Sequence, residues 1–65
     1  MKILVNGDSH EVSAHDLALA LEELGFGAAV VATALNGEFV AASSRAATPL
    51  SEGDRVEVLA PLQGG

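Results

Sequence analysis

Two Asn-Gly pairs, Asn6-Gly7 and Asn36-Gly37, constrain the fold of this chain more than any other feature. A two-residue hairpin turn needs positive φ at both central residues, which Asn tolerates and Gly adopts freely, and its twist matches that of the flanking strands. Strand-forming residues surround each pair: Ile3-Leu4-Val5 before the first, the run Val30 to Leu35 before the second, and Glu38-Phe39-Val40 after it. Two hairpins are expected. His10-Glu11-Val12 reads as the return strand of the first, and its polar residues suit a sheet edge, where they discourage pairing with other chains.

The segment between the hairpins has helical signals. Ser13-Ala14-His15-Asp16 fits an N-capping Ser with an acid three residues on, and it places Val12 and Leu17 where a hydrophobic staple joins them. A helix of about three turns is expected from near Ala14. Leu17, Leu21 and Leu24 share one face, Glu22 and Glu23 point to solvent, and Gly25 supplies the left-handed stop. Ala41 to Thr48 is small and polar, with Arg45 its only charge, and reads as a surface connection with one irregular turn. Pro49 disfavours helix at Thr48, and Leu50 is expected to plug the core. Glu52-Gly53-Asp54 turns the chain into Arg55-Val56-Glu57-Val58-Leu59, whose alternation sends Val56 and Val58 inward, while Asp54 satisfies backbone N–H groups of the turn. Phe26 and Phe39, the only aromatic residues, read as core.

The order is hairpin, helix, hairpin, connection, strand. With the first and last strands side by side and parallel, this gives an α+β fold of the β-grasp (ubiquitin-like) arrangement, a mixed sheet with one main helix packed across one face. A ferredoxin-like fold needs a second long helix, and no stretch offers one. Leu4 and Leu59 then point to the face the helix leaves open, where with members of the Val30 to Leu35 run they form an apolar patch for a partner. Residues 1–60 make this domain, and 61–65 form a flexible tail.

Composition removes whole classes of function. A domain of 65 residues buries only about 60% of its unfolded surface and leaves little room for a pocket. A hydrophobic content of 49% nevertheless makes a core credible without staples. The chain has no cysteine, so disulfides, thiolate metal sites and cysteine nucleophiles are excluded, and any sulfur it handles is not carried by a side chain. No apolar run approaches the roughly 18 residues of a membrane helix, and the N-terminus is too short for a secretory signal. A soluble, cytoplasmic protein is expected. Nine acidic residues against three basic ones give a formal charge of −6, which repels the phosphates of nucleic acid. That charge serves solubility, or steering toward a basic docking face on another protein. His10 and His15 lack the spacing of a metal-ligand pair and a third neutral donor, Ser43 and Ser44 lack a nearby base, and no Gly-rich loop opens a helix to cradle phosphate. The chain is not expected to catalyse anything unaided.

What remains is Ala60-Pro61-Leu62-Gln63-Gly64-Gly65. Glycine has no Cβ, so a Gly-Gly end threads a narrow channel with a terminal carboxylate leading. Pro61 to Gly65, fully extended, reaches about 16–18 Å beyond the sheet. Pro61 stiffens the root by fixing φ, and Leu62 and Gln63 are placed to be read by a partner's channel, one by an apolar pocket and one through its amide. The plain alternative is a solvated terminus.

Three stretches, "VNG", "ALNGEFV" and "LSEGDRVEVLAPLQGG", resemble the small sulfur-carrier proteins of thiamine biosynthesis (ThiS-like), and the resemblance spans nearly the whole chain. It implies that Gly65, presented by Gly64, is the site of chemistry. A ubiquitin-activating-type adenylating enzyme uses ATP and Mg²⁺ to convert the Gly65 carboxylate to an acyl-adenylate. Sulfur drawn from cysteine by a cysteine desulfurase then yields a thiocarboxylate, and thiazole synthase takes the sulfur. No cofactor of the chain's own is implied. The family often places a bulky or basic residue after the "NGE.V" strand, whereas Ala41-Ala42-Ser43-Ser44 precede Arg45 here. The small subunit of molybdopterin synthase shares the Gly-Asp turn and the Gly-Gly end, although Gln63 favours the thiamine branch. A ubiquitin-like modifier joined to lysines through Gly65, and an interaction module whose Gly-Gly is incidental, are the other readings.

Overall fold

The computed structural model describes residues 1–60. Strand β1 (Lys2–Val5) turns through Asn6-Gly7 into β2 (Asp8–Glu11); helix α1 (Leu17–Glu23) follows; β3 (Ala32–Leu35) turns through Asn36-Gly37 into β4 (Glu38–Val40); a 3₁₀ helix (Ala42–Ala47) leads to β5 (Arg55–Leu59). Both turns have the expected conformation, with φ of 50° and 88° at Asn6-Gly7 and 50° and 86° at Asn36-Gly37. The sheet order is β2-β1-β5-β3-β4, with β1 and β5 parallel and the other neighbouring pairs antiparallel. The last strand is inserted between the two hairpins, as the order of elements requires.

One face of the sheet carries the core. Ile3, Val5, Val56 and Val58 meet Val12, Ala14, Leu17, Ala20, Leu21 and Leu50, all buried. Burial along β5 alternates, with Val56 and Val58 in and Arg55, Glu57 and Leu59 out. Strand β2 is exposed at all four residues and lies at one edge, its polar sequence blunting that edge.

The helix begins later than the Ser13 signal indicates. Its N-cap is Asp16, whose Oδ1 accepts the Leu19 N–H at 2.8 Å, and it runs seven residues, two turns. The reason is tertiary. Leu50 N–H donates to the His15 carbonyl, Leu17 N–H donates to the Thr48 carbonyl, and Asp16 bridges Pro49 as an isolated antiparallel pair, so the backbone before Leu17 is held extended. Ser13 is used differently: its N–H and hydroxyl, with the Ala14 N–H, donate to the Glu23 carboxylate at 2.9–3.1 Å. With Asp16 as cap no Val12–Leu17 staple forms, although both residues are buried. The other end stops as expected. Gly25 has φ of 93°, Phe26 N–H donates to the Leu21 carbonyl and Gly25 N–H to that of Glu22, the two bonds of a Schellman motif.

Two further expectations are corrected. The strand before the second turn starts at Ala32, not Val30, and Val30 is 81% exposed. Phe39 is not core but 73% exposed. In β4 it pairs with Ala34, so it shares the face of Ala34 and Glu57, whereas Val40 beside it pairs with buried Thr33. Phe26, in contrast, packs against the core.

The Glu23 carboxyl is held below its ordinary value of 4.5, first by the Ser13 N–H and then by the Ser13 hydroxyl and Ala14 N–H, with partial desolvation opposing. A lowered folded pKa means the contact stabilises the fold above pH 4.5 and is lost as pH falls through the lowered value. Urea midpoints across that range should show the gap between wild type and Glu23→Gln shrinking on acidification.

Candidate functional site

The candidate site is the end of β5 together with the sheet face that α1 leaves open. Register assigns that face: Leu4 lies opposite Arg55, Ala34 opposite Glu57, Ala32 opposite Leu59, and Phe39 opposite Ala34. Leu4 and Leu59 are brought together as expected, both lining one shallow concavity with Arg55 and Glu57. Leu59 is 63% exposed and also borders a second, almost wholly apolar hollow with Val30, Val31, Ala32 and Ala60. The small side chains of Ala32 and Ala34 make the floor, with Phe39 on one side and Leu59 on the other. An exposed apolar surface flanked by one cation and one anion is suited to a protein partner rather than a small molecule.

Sequence reasoning missed Phe39 as a member of this surface, whereas Val30 belongs to the Val30 to Leu35 run expected to contribute to it. A signal for Phe39 was present: a two-residue turn at Asn36-Gly37 puts Phe39 opposite Ala34, on the side of the small residues rather than that of Leu35. Arg45, in contrast, is occupied internally. Its Nε donates to Thr33 Oγ1 at 3.0 Å and its Nη2 to the Val31 carbonyl at 2.6 Å, while Thr33, 2% exposed, donates to the Val40 carbonyl at 2.8 Å. The guanidinium pins the 3₁₀ helix to β3 and completes a buried hydroxyl.

The strand that leads to the tail is bonded on both sides. It pairs with β3 from Val56 to Leu59 and with β1 at Arg55 and Val56. The turn before it is closed by Asp54, whose Oδ2 accepts the Ser51 N–H at 2.8 Å. The expected chemistry at Gly64 and Gly65, and the recognition of Pro61, Leu62 and Gln63, lie outside the described residues. Among the described residues no group of three His, Cys, Asp or Glu side chains converges as a metal site, and His10 and His15 are both exposed. No helix among them is long and apolar enough to cross a membrane.

A five-stranded mixed sheet with its first and last strands parallel at the centre and one main helix across a single face defines a β-grasp protein. The chain belongs to the ThiS family, whose model matches residues 3–65. It is similar to the crystal structure of a thiamine biosynthesis protein (ThiS) from Geobacter metallireducens, with a TM-score of 0.84 and 32% identity over 100% of both chains. It is also similar to the NMR solution structure of a thiamine biosynthesis protein from Geobacter metallireducens, with a TM-score of 0.77 and 30% identity over 100% of this chain and 88% of that one. No curated protein sequence matches the chain.

Because Arg45 serves the fold, Arg45→Ala should lower unfolding stability by about 1.5–3 kcal/mol, the range for hydrogen bonds to a charged group. Arg45→Lys should restore only part of this, since an ammonium lacks the guanidinium's fork of donors. Urea denaturation checks both.

Proposed function

We propose that this chain is a cytoplasmic sulfur carrier for thiazole formation in thiamine biosynthesis, a protein cosubstrate on which enzymes act. The observation that carries this reading is the ThiS family match, which takes in Gly64 and Gly65. The Gly65 carboxylate is the reacting group. A carboxylate is a poor acyl donor, so a ubiquitin-activating-type adenylating enzyme spends ATP, with Mg²⁺, to make the Gly65 acyl-adenylate and release pyrophosphate. The terminal sulfur of an enzyme-bound persulfide, supplied from cysteine by a desulfurase, attacks the acyl carbon and AMP leaves. A second thiol then attacks the sulfur still attached to the enzyme, forming a disulfide and freeing the thiocarboxylate. Thiazole synthase receives that sulfur.

Two separate parts of the chain divide the work. Leu4 and Leu59, joined by Phe39 and Val30, form the docking surface, while Pro61, Leu62 and Gln63 guide Gly64 and Gly65 into the partner's site. Holding the carboxylate beside the nucleotide makes the reaction effectively unimolecular, and the absence of Cβ atoms on the last two residues leaves the acyl carbon open to attack.

Two measurements test this. Intact mass of the protein purified from its own host, with the desulfurase and activating enzyme present, should show a gain of about 16 Da on Gly65, one oxygen exchanged for sulfur. An unmodified mass, with no adenylate on adding ATP and the activating enzyme, overturns the reading. Leu59→Asp should raise the KM for the carrier in adenylation by about tenfold or more, as expected for a charge placed in an apolar contact, while leaving the fold intact because Leu59 is exposed.

A further inference from the structure

Strand β5 is held on its two sides by different means. Toward β3 its backbone pairs from Val56, opposite Leu35, to Leu59, opposite Ala32. Toward β1 the ladder is short, Leu4 opposite Arg55 and Val5 opposite Val56, because the chain turns away at Asn6-Gly7. The Asn6 N–H still donates to the Val56 carbonyl at 2.9 Å. Its side chain then carries the ladder one step further: Nδ2 donates to the Val58 carbonyl at 3.0 Å, and Oδ1 accepts the Val58 N–H at 2.9 Å. A primary amide thus serves Val58 as a peptide group of a longer β1 would. The turn alone does not require this, since glycine adopts the φ of 50° at Asn6 without strain. Asn36 does half of this at the start of β5: its Oδ1 accepts the Arg55 N–H at 2.9 Å, while its Nδ2 donates to the side-chain Oδ1 of Asp54 at 3.1 Å. Only Asn6 acts at the end that leads to Gly65.

We propose that Asn6 is a positioning residue for the chemistry at Gly65: its side-chain amide clamps Val58 from the β1 side and so fixes where β5 ends. This rests on the sulfur-carrier reading. A docked carrier presents its carboxylate at an effective concentration set by the span between its last fixed residue and the reacting atom. Without the clamp, β5 beyond Val56 is held along its β3 edge only, frays more readily from Leu59 inward, and its last fixed residue shifts from Leu59 toward Val56. Effective concentration falls with roughly the three-halves power of the span, so this change alone lowers it by about twofold. Asn6 also lines the concavity of Leu4 and Leu59, but its amide is taken up by Val58 and the apolar docking residues are unchanged, so the loss belongs in kcat and not in KM.

The test uses the full chain, its activating enzyme, ATP and Mg²⁺, with adenylation read by pyrophosphate exchange at saturating carrier and well below the unfolding temperature. Asn6→Gly keeps the turn and removes the amide. Asn6→Asp keeps the turn and the acceptor, removes the donor, and serves as the second variant should Asn6→Gly fail to fold. Relative to wild type, Asn6→Gly should exchange the Val58 amide hydrogen about tenfold faster, as expected for one lost hydrogen bond. Its kcat should fall by about twofold or more with KM unchanged. In Asn6→Asp the Val58 protection should recover as the new carboxyl protonates and regains a donor, a pH dependence that wild type lacks. A wild type that reacts while Asn6→Gly, or Asn6→Asp in its place, keeps its full kcat overturns the positioning role alone. A wild type that forms no adenylate overturns the carrier reading, and the positioning role with it.

Discussion

The pairing of β5 with β1 is the interaction on which the rest of the molecule depends. A parallel pair cannot be closed by a tight turn, so the intervening helix, second hairpin and 3₁₀ helix all have to cross before Leu4 meets Arg55 and Val5 meets Val56. Without β5 the chain is two separate hairpins, and an isolated two-stranded hairpin is marginal in water. With it, the hairpins become one sheet, and Val56 and Val58 complete the core against Leu17 and Leu21. Such contacts between opposite ends of a chain form slowly, because loop closure must precede any gain from pairing. The strand that closes the sheet is also the one that runs toward Gly65, so the region proposed to deliver the carboxylate is built on a strand with a neighbour on each side.

Strands of three to five residues leave many backbone groups near their ends without partners from a neighbouring strand, and polar side chains take that role. Asn6 and Asn36 serve the two ends of β5, Asp16 caps α1, Asp54 closes the turn before β5, and Glu52 accepts the Lys2 N–H at 3.0 Å. Glu23 gathers the Ser13 and Ala14 donors. Among the described residues no buried side-chain polar atom is left unpaired. Several acids that look like a solvated surface in the sequence are therefore structural, although bonds from neutral donors leave their charge in place within the net −6.

The open face of the sheet follows from the placing of the core. A core of Ile3, Leu17 and Val56 on one side of a small sheet leaves the other side uncovered, and its apolar members, Leu4, Leu59, Ala32, Ala34 and Phe39, lie together on it. Such a face is suited to binding, which fits the role of cosubstrate proposed for the chain.

Much of this architecture was legible in the sequence because local chemistry decided it. The Asn-Gly pairs set both hairpins, Gly25 stopped the helix, Pro49 kept Thr48 extended, and the alternation from Arg55 to Leu59 sorted inward from outward residues. Leu4 and Leu59 followed once β1 and β5 were placed in parallel. Contacts between distant residues decided the rest. Asp16, not Ser13, caps α1 because residues 48–50 hold the preceding backbone extended, and Phe39 faces outward because pairing fixes its parity. Arg45 became an internal tie only where the 3₁₀ helix passes Thr33 and Val31. By itself the sequence determined which elements form and how each turn bends, since these depend on φ preferences and periodicity within a few residues. The tertiary structure alone decided which side chains complete another segment's backbone, because those partners meet only after the chain has closed on itself.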